Sequence, residues 1–338
     1  MDNNGYVMGG IAFLLIIPAV IISTMFINVV NLDETVKTPI KSDTIQHISG
    51  DIESNIPILT LQVLKENSDM VVKTGETIPN SRETIKRSIQ SKIDDLTSKY
   101  QENTGINIYC KINNVDNSLN PYAICVNSTV DVHCNTSTIS KNISQDIQFV
   151  CSDSATDSSV ESYKIQDPLP FIKTRGYGVL TVVGDKINYG TTLSNYLKSQ
   201  GLNNSEAYEN ASSPLYFKKC PYDPYHFHGN SNGLLNLKNC IDNGYYHESR
   251  AGACIFCRLE GKSTCTHFGL ETFIVPSKSS VQIPTAPCSV DHVIFGEYGH
   301  YPIEIYPGTI LEYYRTDNVS YHIFLDNGHR NKYGLPLT

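Results

Sequence analysis

The feature that most constrains this chain is an apolar run from Val7 to Val30 that contains no Asp, Glu, Lys or Arg. As an α-helix, these 24 residues would extend about 36 Å at about 1.5 Å per residue. That length is enough to cross a hydrocarbon core of about 30 Å. The block Ile11–Ile22 would be apolar on every side of a helix. A helix on the surface of a globular protein instead has a polar face toward water. Pro18 lies mid-span, where a membrane helix tolerates it. The sequence therefore predicts one N-terminal transmembrane helix.

The residues around this run favour retention of the segment over cleavage as a secretory signal. Met1–Gly5 carries no basic residue, and no Ala-x-Ala follows Ile22. A short polar leader that ends in Gly5, followed by a hydrophobic stretch with a central proline, resembles the N-terminal segment of type IV pilin-like and TadE-like archaeal envelope proteins. The resemblance covers about the first 30 residues and implies a leader that is cut after Gly5. The remainder looks like uncharacterised surface proteins of methanogenic archaea.

Two kinds of evidence disagree about which side of the membrane the C-terminal residues occupy. Lys37 and Lys41 follow the helix, which on charge alone favours a C-terminal domain inside the cell. Ten cysteines and a composition rich in Ser, Thr and Asn favour the outside. The same holds for six glycosylation sequons, at Asn127, Asn135, Asn142, Asn203, Asn210 and Asn318. We expect a single-pass cell-membrane protein whose C-terminal bulk is extracytoplasmic.

Composition limits the binding partners and indicates a folded protein. A net charge of −8, with 26 basic residues scattered singly, argues against nucleic acid. The chain is long and apolar enough, at 40% hydrophobic residues, to bury one or two cores. The predicted partners are the membrane, through Val7–Val30, and envelope proteins, pilus proteins or cell-surface glycans.

The pattern along the chain predicts an α+β fold in two lobes. We assign 1–6 to a leader or tail, 7–30 to the transmembrane helix, 31–50 to a linker, 51–151 to an α+β membrane-proximal lobe, 152–165 to a second linker and 166–338 to a Cys-rich, mostly β lobe. The linker assignment at 152–165 follows from the run of Ser, Asp and Thr there.

The first lobe combines helices with a small antiparallel sheet. Apolar residues at helical spacing predict a helix over 81–100, with Asn80 and Glu83 as a capping box, and a weaker helix over 52–65 that is interrupted near Pro57. From Gly105 the period changes to two, which predicts strands at 106–112, 122–127, 129–134 and 146–151. Cys110, Cys125, Cys134 and Cys151 lie on or beside these strands, and their even number fits two disulfides of open connectivity.

The second lobe is predicted to be mostly β. A hairpin about Gly184-Asp185 precedes a helix over 191–200 that is closed by Gly201. Alternating aromatic and aliphatic residues between 293 and 325 predict further strands, followed by a turn at 326–329.

The six remaining cysteines could bind a metal ion or form disulfides. They are Cys220, Cys240, Cys254, Cys257, Cys265 and Cys288, with His226, His228, His247 and His267 interleaved. Cys254 and Cys257 form a C-x-x-C motif that predicts a zinc site, with Cys265 or His267 as the third ligand and Cys220, Cys240 or the His226–His228 pair as the fourth. Because six cysteines outside the cell pair readily, three disulfides are the preferred interpretation and zinc is the alternative.

Two patterns resemble catalytic motifs, but the sequence does not show the structural context that either would need. Gly229-Asn230-Ser231-Asn232-Gly233 matches G-x-S-x-G, but no hydrophobic strand precedes it. The pairs Cys265–His267 and Cys288–His292 could supply a nucleophile and a base only if the fold brought them together. We therefore identify no catalytic residue. We predict a structural, adhesive or pilus-associated surface protein, with a structural or hydrolytic zinc domain and a pilin-like filament subunit as alternatives.

Overall fold

The computed structural model describes residues 42–134, 137–150, 164–202, 205–222, 228, 233–276, 288–296, 308–314 and 320–335. The chain forms two compact units, 1–45 and 46–338, and nearly all the described residues belong to the second. The described helices are α1 Ser42–Thr74, α2 Ser81–Thr104, α3 Leu169–Lys173, α4 Thr192–Ser199, α5 Gly233–Asn243, α6 Ile255–Leu259, α7 Asp291–Ile294 and α8 Asn327–Lys332. The strands are β1 Asn107–Asn117, β2 Ala123–Cys134, β3 Ser137–Gln148, β4 Thr181–Val183, β5 Lys186–Asn188, β6 Ser212–Pro214, β7 His247–Ser249, β8 Gly269–Glu271, β9 Phe273–Ile274, β10 Ser289–Val290, β11 Gly308–Tyr314 and β12 Ser320–Asp326.

The predicted membrane topology is corrected. Among the residues described above, no helix combines the length and the apolarity that a bilayer crossing requires. The described residues have an α+β fold, and the predicted transmembrane helix and single-pass cell-membrane localisation are withdrawn. The run Val7–Val30, on which both predictions and the pilin resemblance depend, lies outside the described residues.

The two long helices of the first lobe are confirmed, with different bounds. Helix α1 starts inside the predicted linker and continues through Pro57 without the predicted interruption. Helix α2 buries Ile85, Ile89 and Ile93 along one face, as their spacing predicts. These isoleucines recur every four residues, so they form a continuous apolar stripe against the sheet.

The predicted capping box at the start of α2 is wrong. Asn80 has a left-handed backbone, with φ 50°, and its side chain caps nothing. Instead, Glu260 accepts a hydrogen bond from the backbone amide of Ser81 at 3.1 Å and another from the Ser81 hydroxyl at 2.8 Å. The N-terminus of α2 is thus satisfied by a residue that immediately follows α6.

Strands β1, β2 and β3 form an antiparallel sheet in sequential order. The predicted runs 122–127 and 129–134 belong to one strand, β2. Most of β3 was missed, because its residues are mainly polar and only two of them are buried. A strand at the edge of a sheet gains its backbone hydrogen bonds from one neighbour and needs little apolar surface.

The sheet does not bring its cysteines together. Cys110 lies opposite Val130, Cys125 opposite Asp146 and Cys134 opposite Ser137. None of these three is in a disulfide, and Cys151 lies outside the described residues. Of the sequons, Asn127 is on β2, Asn142 is on β3 and Asn210 is in a turn, whereas Asn135, Asn203 and Asn318 lie outside the described residues.

The prediction of a mostly β second lobe is wrong, because the described part of the second half contains short helices, α3 to α8, as well as short strands, β4 to β12. The hairpin β4–β5, helix α4 and the pair β11–β12 confirm predictions, and Gly201 ends α4 with φ 85°. The predicted turn at 326–329 is wrong, since α8 begins at Asn327. Nearly all of the predicted linker 152–165 lies outside the described residues. Residues on its two sides are in contact, because the Tyr122 hydroxyl donates to the Tyr246 carbonyl at 2.8 Å.

A fully buried arginine joins these short elements. Arg258 of α6 donates to Asp167 and to Asp291, each at 2.7 Å, and all three side chains are at most 3% exposed. Two further N–H groups donate to the carbonyls of Ala253 at 3.1 Å and Leu270 at 2.6 Å. Burial raises the pKa of Asp167 above its usual value, even with Arg258 beside it. Because all three charged side chains are buried away from solvent, each charge is stabilised by its partners and not by water.

We predict that Arg258→Met destabilises the protein by about 3–5 kcal/mol, because it leaves two buried carboxylates without their counter-charge. The matched control is Arg175→Met, which removes an arginine from an exposed pair with Glu76 and should change stability by less than about 1 kcal/mol. Urea unfolding of both variants measures the difference. Equal losses in the two variants would contradict this role for Arg258.

Candidate metal centres

Three groups of metal-ligating side chains converge in the described part of the second half. They are Cys254, Cys257, Cys265 and His267; Cys220, His228, Cys240 and His247; and Glu271, His292 and His329. In each group, the ligand atoms lie within 4.8 Å of one another. These groups are therefore able to hold a metal ion.

The first group, termed the Cys3His group, consists of the four residues predicted as zinc ligands. Cys254 is the N-cap of α6 and Cys257 lies in its first turn, which places both sulfurs on one side of the helix. Their Sγ atoms lie 3.8 and 3.6 Å from Nδ1 of His267. The Cys254 amide also donates to the Cys265 sulfur at 3.4 Å.

Two glycines allow the chain to bring these ligands together. A β-bridge joins Ala253 to Leu270, so the segment before Cys254 runs against the one after His267. A Cβ on Gly252 would lie 2.0 Å from the Leu270 carbonyl oxygen, and one on Gly269 would lie 2.5 Å from the Ala253 carbonyl carbon. Only a residue without a side chain permits this approach of two backbones.

The three thiols of the Cys3His group cannot ionise independently. Hydrogen bonds from Cys254 and Cys257 lower the pKa of Cys265 well below its ordinary value. Hydrogen bonds with Cys254 and Cys265, together with burial, raise the pKa of Cys257. A hydrogen bond with Cys257 lowers the pKa of Cys254, but its contact with Cys265 and burial prevail and raise it to about 11. The negative charge on one ionised thiol therefore opposes ionisation of the other two. A bound divalent cation would offset the repulsion between the thiolates.

Arg82 links this group to helix α2. Its Nη2 lies 3.9 Å from the Cys254 sulfur and 3.3 Å from Nε2 of His267. The guanidinium carbon also lies 4.7 Å from the centre of the Phe256 ring. Three thiolates around a divalent cation leave one net negative charge, which the guanidinium is placed to balance.

The second group, termed the Cys2His2 group, is buried at all four positions. Nε2 of His228 lies 3.5 Å from the Cys220 sulfur and 3.4 Å from the Cys240 sulfur. The two sulfurs are 3.3 Å apart, far beyond the bond length of about 2.05 Å in a disulfide. A sulfur at about 2.3 Å and a nitrogen at about 2.05 Å from a tetrahedral zinc lie about 3.6 Å apart, close to the observed sulfur–nitrogen distances. Two such sulfurs lie about 3.8 Å apart, which is more than the observed distance between Cys220 and Cys240.

The imidazoles of the Cys2His2 group are left with unused polar atoms. Among the described residues, neither ring nitrogen of His247 has a hydrogen-bond partner, nor does Nδ1 of His228. His247 is completely buried, where an unpartnered polar group is costly. Contacts with Cys240, His228 and His247 also lower the pKa of Cys220 to about 3, although burial opposes this. The site thus offers a thiolate and imidazole lone pairs, the donors a metal requires.

The third group, termed the Glu-His-His group, lies where β8, α7 and α8 meet. Oε2 of Glu271 is 3.2 Å from Nε2 of both His292 and His329, and the two Nε2 atoms are 3.3 Å apart. Oε1 of Glu271 accepts hydrogen bonds from Lys332, at 2.6 Å, and from the Tyr333 hydroxyl. Burial would raise the pKa of Glu271, but the charges of Lys332 and His329 and the hydrogen bonds with His292 and His329 hold it well below its ordinary value.

The disulfides preferred from the sequence are not formed in this structure. None of the nine described cysteines is bonded to another cysteine. Five of them belong to the two Cys-containing groups. Cys288 lies in an apolar cluster with Leu237 and Val290, and burial raises its pKa, so it has the environment of a neutral core thiol. The proposed nucleophile of the Cys288–His292 pair is therefore unsupported.

The residue spacing predicts the composition of one group but not of the other two. Cys254, Cys257, Cys265 and His267 are brought together, as their spacing predicts. Cys220, Cys240 and His228 were considered as extra ligands for that site, but they form a separate group with His247. Glu271, His292 and His329 are too far apart in the chain to form a motif. His226 and the run 229–232, which includes most of the G-x-S-x-G pattern, lie outside the described residues.

Comparison with known proteins identifies no relative. No family model matches the chain, and neither a curated protein nor a solved structure shows significant similarity to it. The interpretation of these sites therefore depends on their geometry.

We predict that Gly252→Ala destabilises the protein by about 2 kcal/mol or more, because the added methyl group collides with backbone and opens the Cys3His group. Gly50→Ala is the control, since a Cβ there meets nothing within 4 Å in the middle of α1. That change should stabilise the helix by up to about 1 kcal/mol. Thermal unfolding of the two variants gives opposite shifts if this is correct, and shifts of the same sign would refute it.

Proposed function

We propose that the second half of this protein is a zinc-binding domain that is held together by two structural zinc ions. One ion is bound by Cys254, Cys257, Cys265 and His267, and the other by Cys220, His228, Cys240 and His247. The observation that carries the proposal is the convergence of four sulfur and nitrogen donors in each group, with both nitrogens of the buried His247 left without a described partner.

The donor set favours zinc over other metals. Structural zinc sites are built from four thiolates, or from thiolates together with one or two imidazoles, and both Cys-containing groups have such a composition. Calcium and magnesium require oxygen donors instead, and neither of these groups includes a carboxylate. Four protein ligands also fill a tetrahedral shell, so no position remains for a substrate.

The architecture of this half explains why metal ions would be needed. Strands β6 to β10 have two or three residues each, and they pair in small separate sheets. Each of these strands contributes few backbone hydrogen bonds to its neighbour. Zinc binding supplies about 10–16 kcal/mol in small zinc domains, which is more than the net stability of many folded domains.

Each ion would cross-link segments that isolated β-bridges already bring side by side. The Cys2His2 group joins the residue after the Lys219 bridge, the end of α5 and the start of β7. The Cys3His group joins helix α6 to the segment that leads into β8. We infer a structural role for both ions in place of the disulfides.

The test is the number of thiol-dependent zinc ions per chain. Elemental analysis of the purified full-length protein should find that Cys257→Ser and Cys240→Ser each lose one zinc ion relative to the wild type. Cys125→Ser is the control, because its half-exposed thiol on β2 belongs to none of the groups, and it should retain the wild-type metal content.

Removal of metal provides an independent measure. A thiol-specific mercurial reagent should release two zinc ions per chain, and the released metal should be detectable with a colorimetric chelator. The melting temperature should fall by many degrees after release, because ligand affinity for the folded state is lost. Absence of thiol-dependent zinc, bound iron in its place, or cysteines that resist alkylation until they are reduced would each refute the proposal.

A further inference from the structure

We propose that Glu271, His292 and His329 form a third metal centre of a different kind. It binds one divalent first-row transition-metal ion through three protein atoms and keeps a coordination position for water or a small anionic ligand. This proposal does not depend on the thiol-containing sites, because it shares no ligand with them.

The spacing of the three ligand atoms matches one cation. Glu271 Oε2 and the two Nε2 atoms form a nearly equilateral triangle with sides of 3.2, 3.2 and 3.3 Å. A point at the usual zinc–ligand distance, about 2.0–2.1 Å from each atom, lies less than about 1 Å from the plane of this triangle. The three distances therefore leave space for one ion bonded to all three atoms.

Hydrogen bonds alone account for this triangle poorly. If both imidazoles donated to Oε2, two N–H groups would crowd against one oxygen with their nitrogens 3.3 Å apart. If one imidazole donated, the lone pair of the other Nε2 would face the carboxylate oxygen at 3.2 Å, and two acceptors repel each other at that distance. A cation at the centre removes both conflicts.

The surroundings of Glu271 prepare it for a single metal bond. Lys332 and Tyr333 both donate to Oε1, which leaves Oε2 directed at the two histidines. Hydrogen bonds to the distal oxygen of a ligating carboxylate fix its orientation, as outer contacts do in characterised metal sites. Lys332 is itself held by the Glu248 carbonyl, to which it donates at 2.5 Å.

The ligand count distinguishes this centre from the structural ones. Within the described ranges, no fourth Cys, His, Asp or Glu joins the group. Two imidazoles and one carboxylate form the ligand set in which zinc retains a water molecule, whereas structural sites close with four protein ligands. Imidazole and carboxylate together also suit other divalent ions of the first transition row. The chemistry points to an exchangeable water or anion on the metal.

Cobalt substitution separates this proposal from the previous one. Full-length protein loaded with Co²⁺ should bind three ions per chain. Two should show thiolate-to-cobalt charge-transfer absorption, and the third should add only the weaker visible bands of nitrogen and oxygen ligation. Glu271→Gln should lose the third ion and keep the thiolate absorption, because it removes the charge without changing the size of the side chain.

Two further variants guard against misfolding. His329→Gln removes a ligand near the surface, 8% exposed, and should also lose only the third ion. His133→Gln changes an exposed histidine of the sheet and should keep all three ions. Retention of the third ion in both Glu271→Gln and His329→Gln, or its absence from the wild type, would overturn the proposal even if both thiolate sites were filled.

The open position has its own test. Acetohydroxamate, a small bidentate metal ligand, should alter the visible bands of the third cobalt ion and leave the thiolate absorption unchanged. The change should disappear in His329→Gln. A spectrum that does not respond to saturating acetohydroxamate would show that the coordination shell is closed.

Discussion

The buried charge of Arg258 is the interaction on which the arrangement of the second half depends. Its guanidinium binds Asp167 and Asp291, together with the carbonyls of Ala253 and Leu270. These partners come from four separate segments, and each is close in sequence to a metal-ligating residue or to the connection with the first half. Since a buried charge is tolerated only when its donors are satisfied, the segments must meet in one geometry.

The same contacts explain why two groups form side by side. Arg258 follows Cys257 directly, Leu270 precedes Glu271 and Asp291 precedes His292. The second carboxylate oxygen of Asp291 accepts hydrogen bonds from the amides of Thr272 and His292, at 3.3 and 2.8 Å. Placing the arginine therefore also places ligands of the Cys3His and Glu-His-His groups.

The short β7–β8 pair connects the Cys2His2 and Glu-His-His groups. His247 lies directly opposite Glu271 in this antiparallel pair, so both side chains project from the same face. Tyr333 lies between them, because its ring is 5.1 Å from that of His247 and its hydroxyl donates to Glu271. A displacement of side chains in one group would reach the other through these contacts, since packed interiors transmit small displacements.

The sequence by itself determined the features that depend on local periodicity and close spacing. Ile85, Ile89 and Ile93 specify a helix face, and alternation after Gly105 specifies strands. The C-x-x-C of Cys254 and Cys257 is near enough in the chain to Cys265 and His267 for these four side chains to meet. Only the tertiary structure decided whether the cysteines face one another as a disulfide pair or as a cluster, since the same residue spacing serves both. It also decided that His247 meets Cys220 and that Glu271 meets His292 and His329. Those encounters depend on the buried pairing of Arg258 with two distant aspartates and on backbone contact at Gly252 and Gly269, neither of which leaves a periodic signal in the chain.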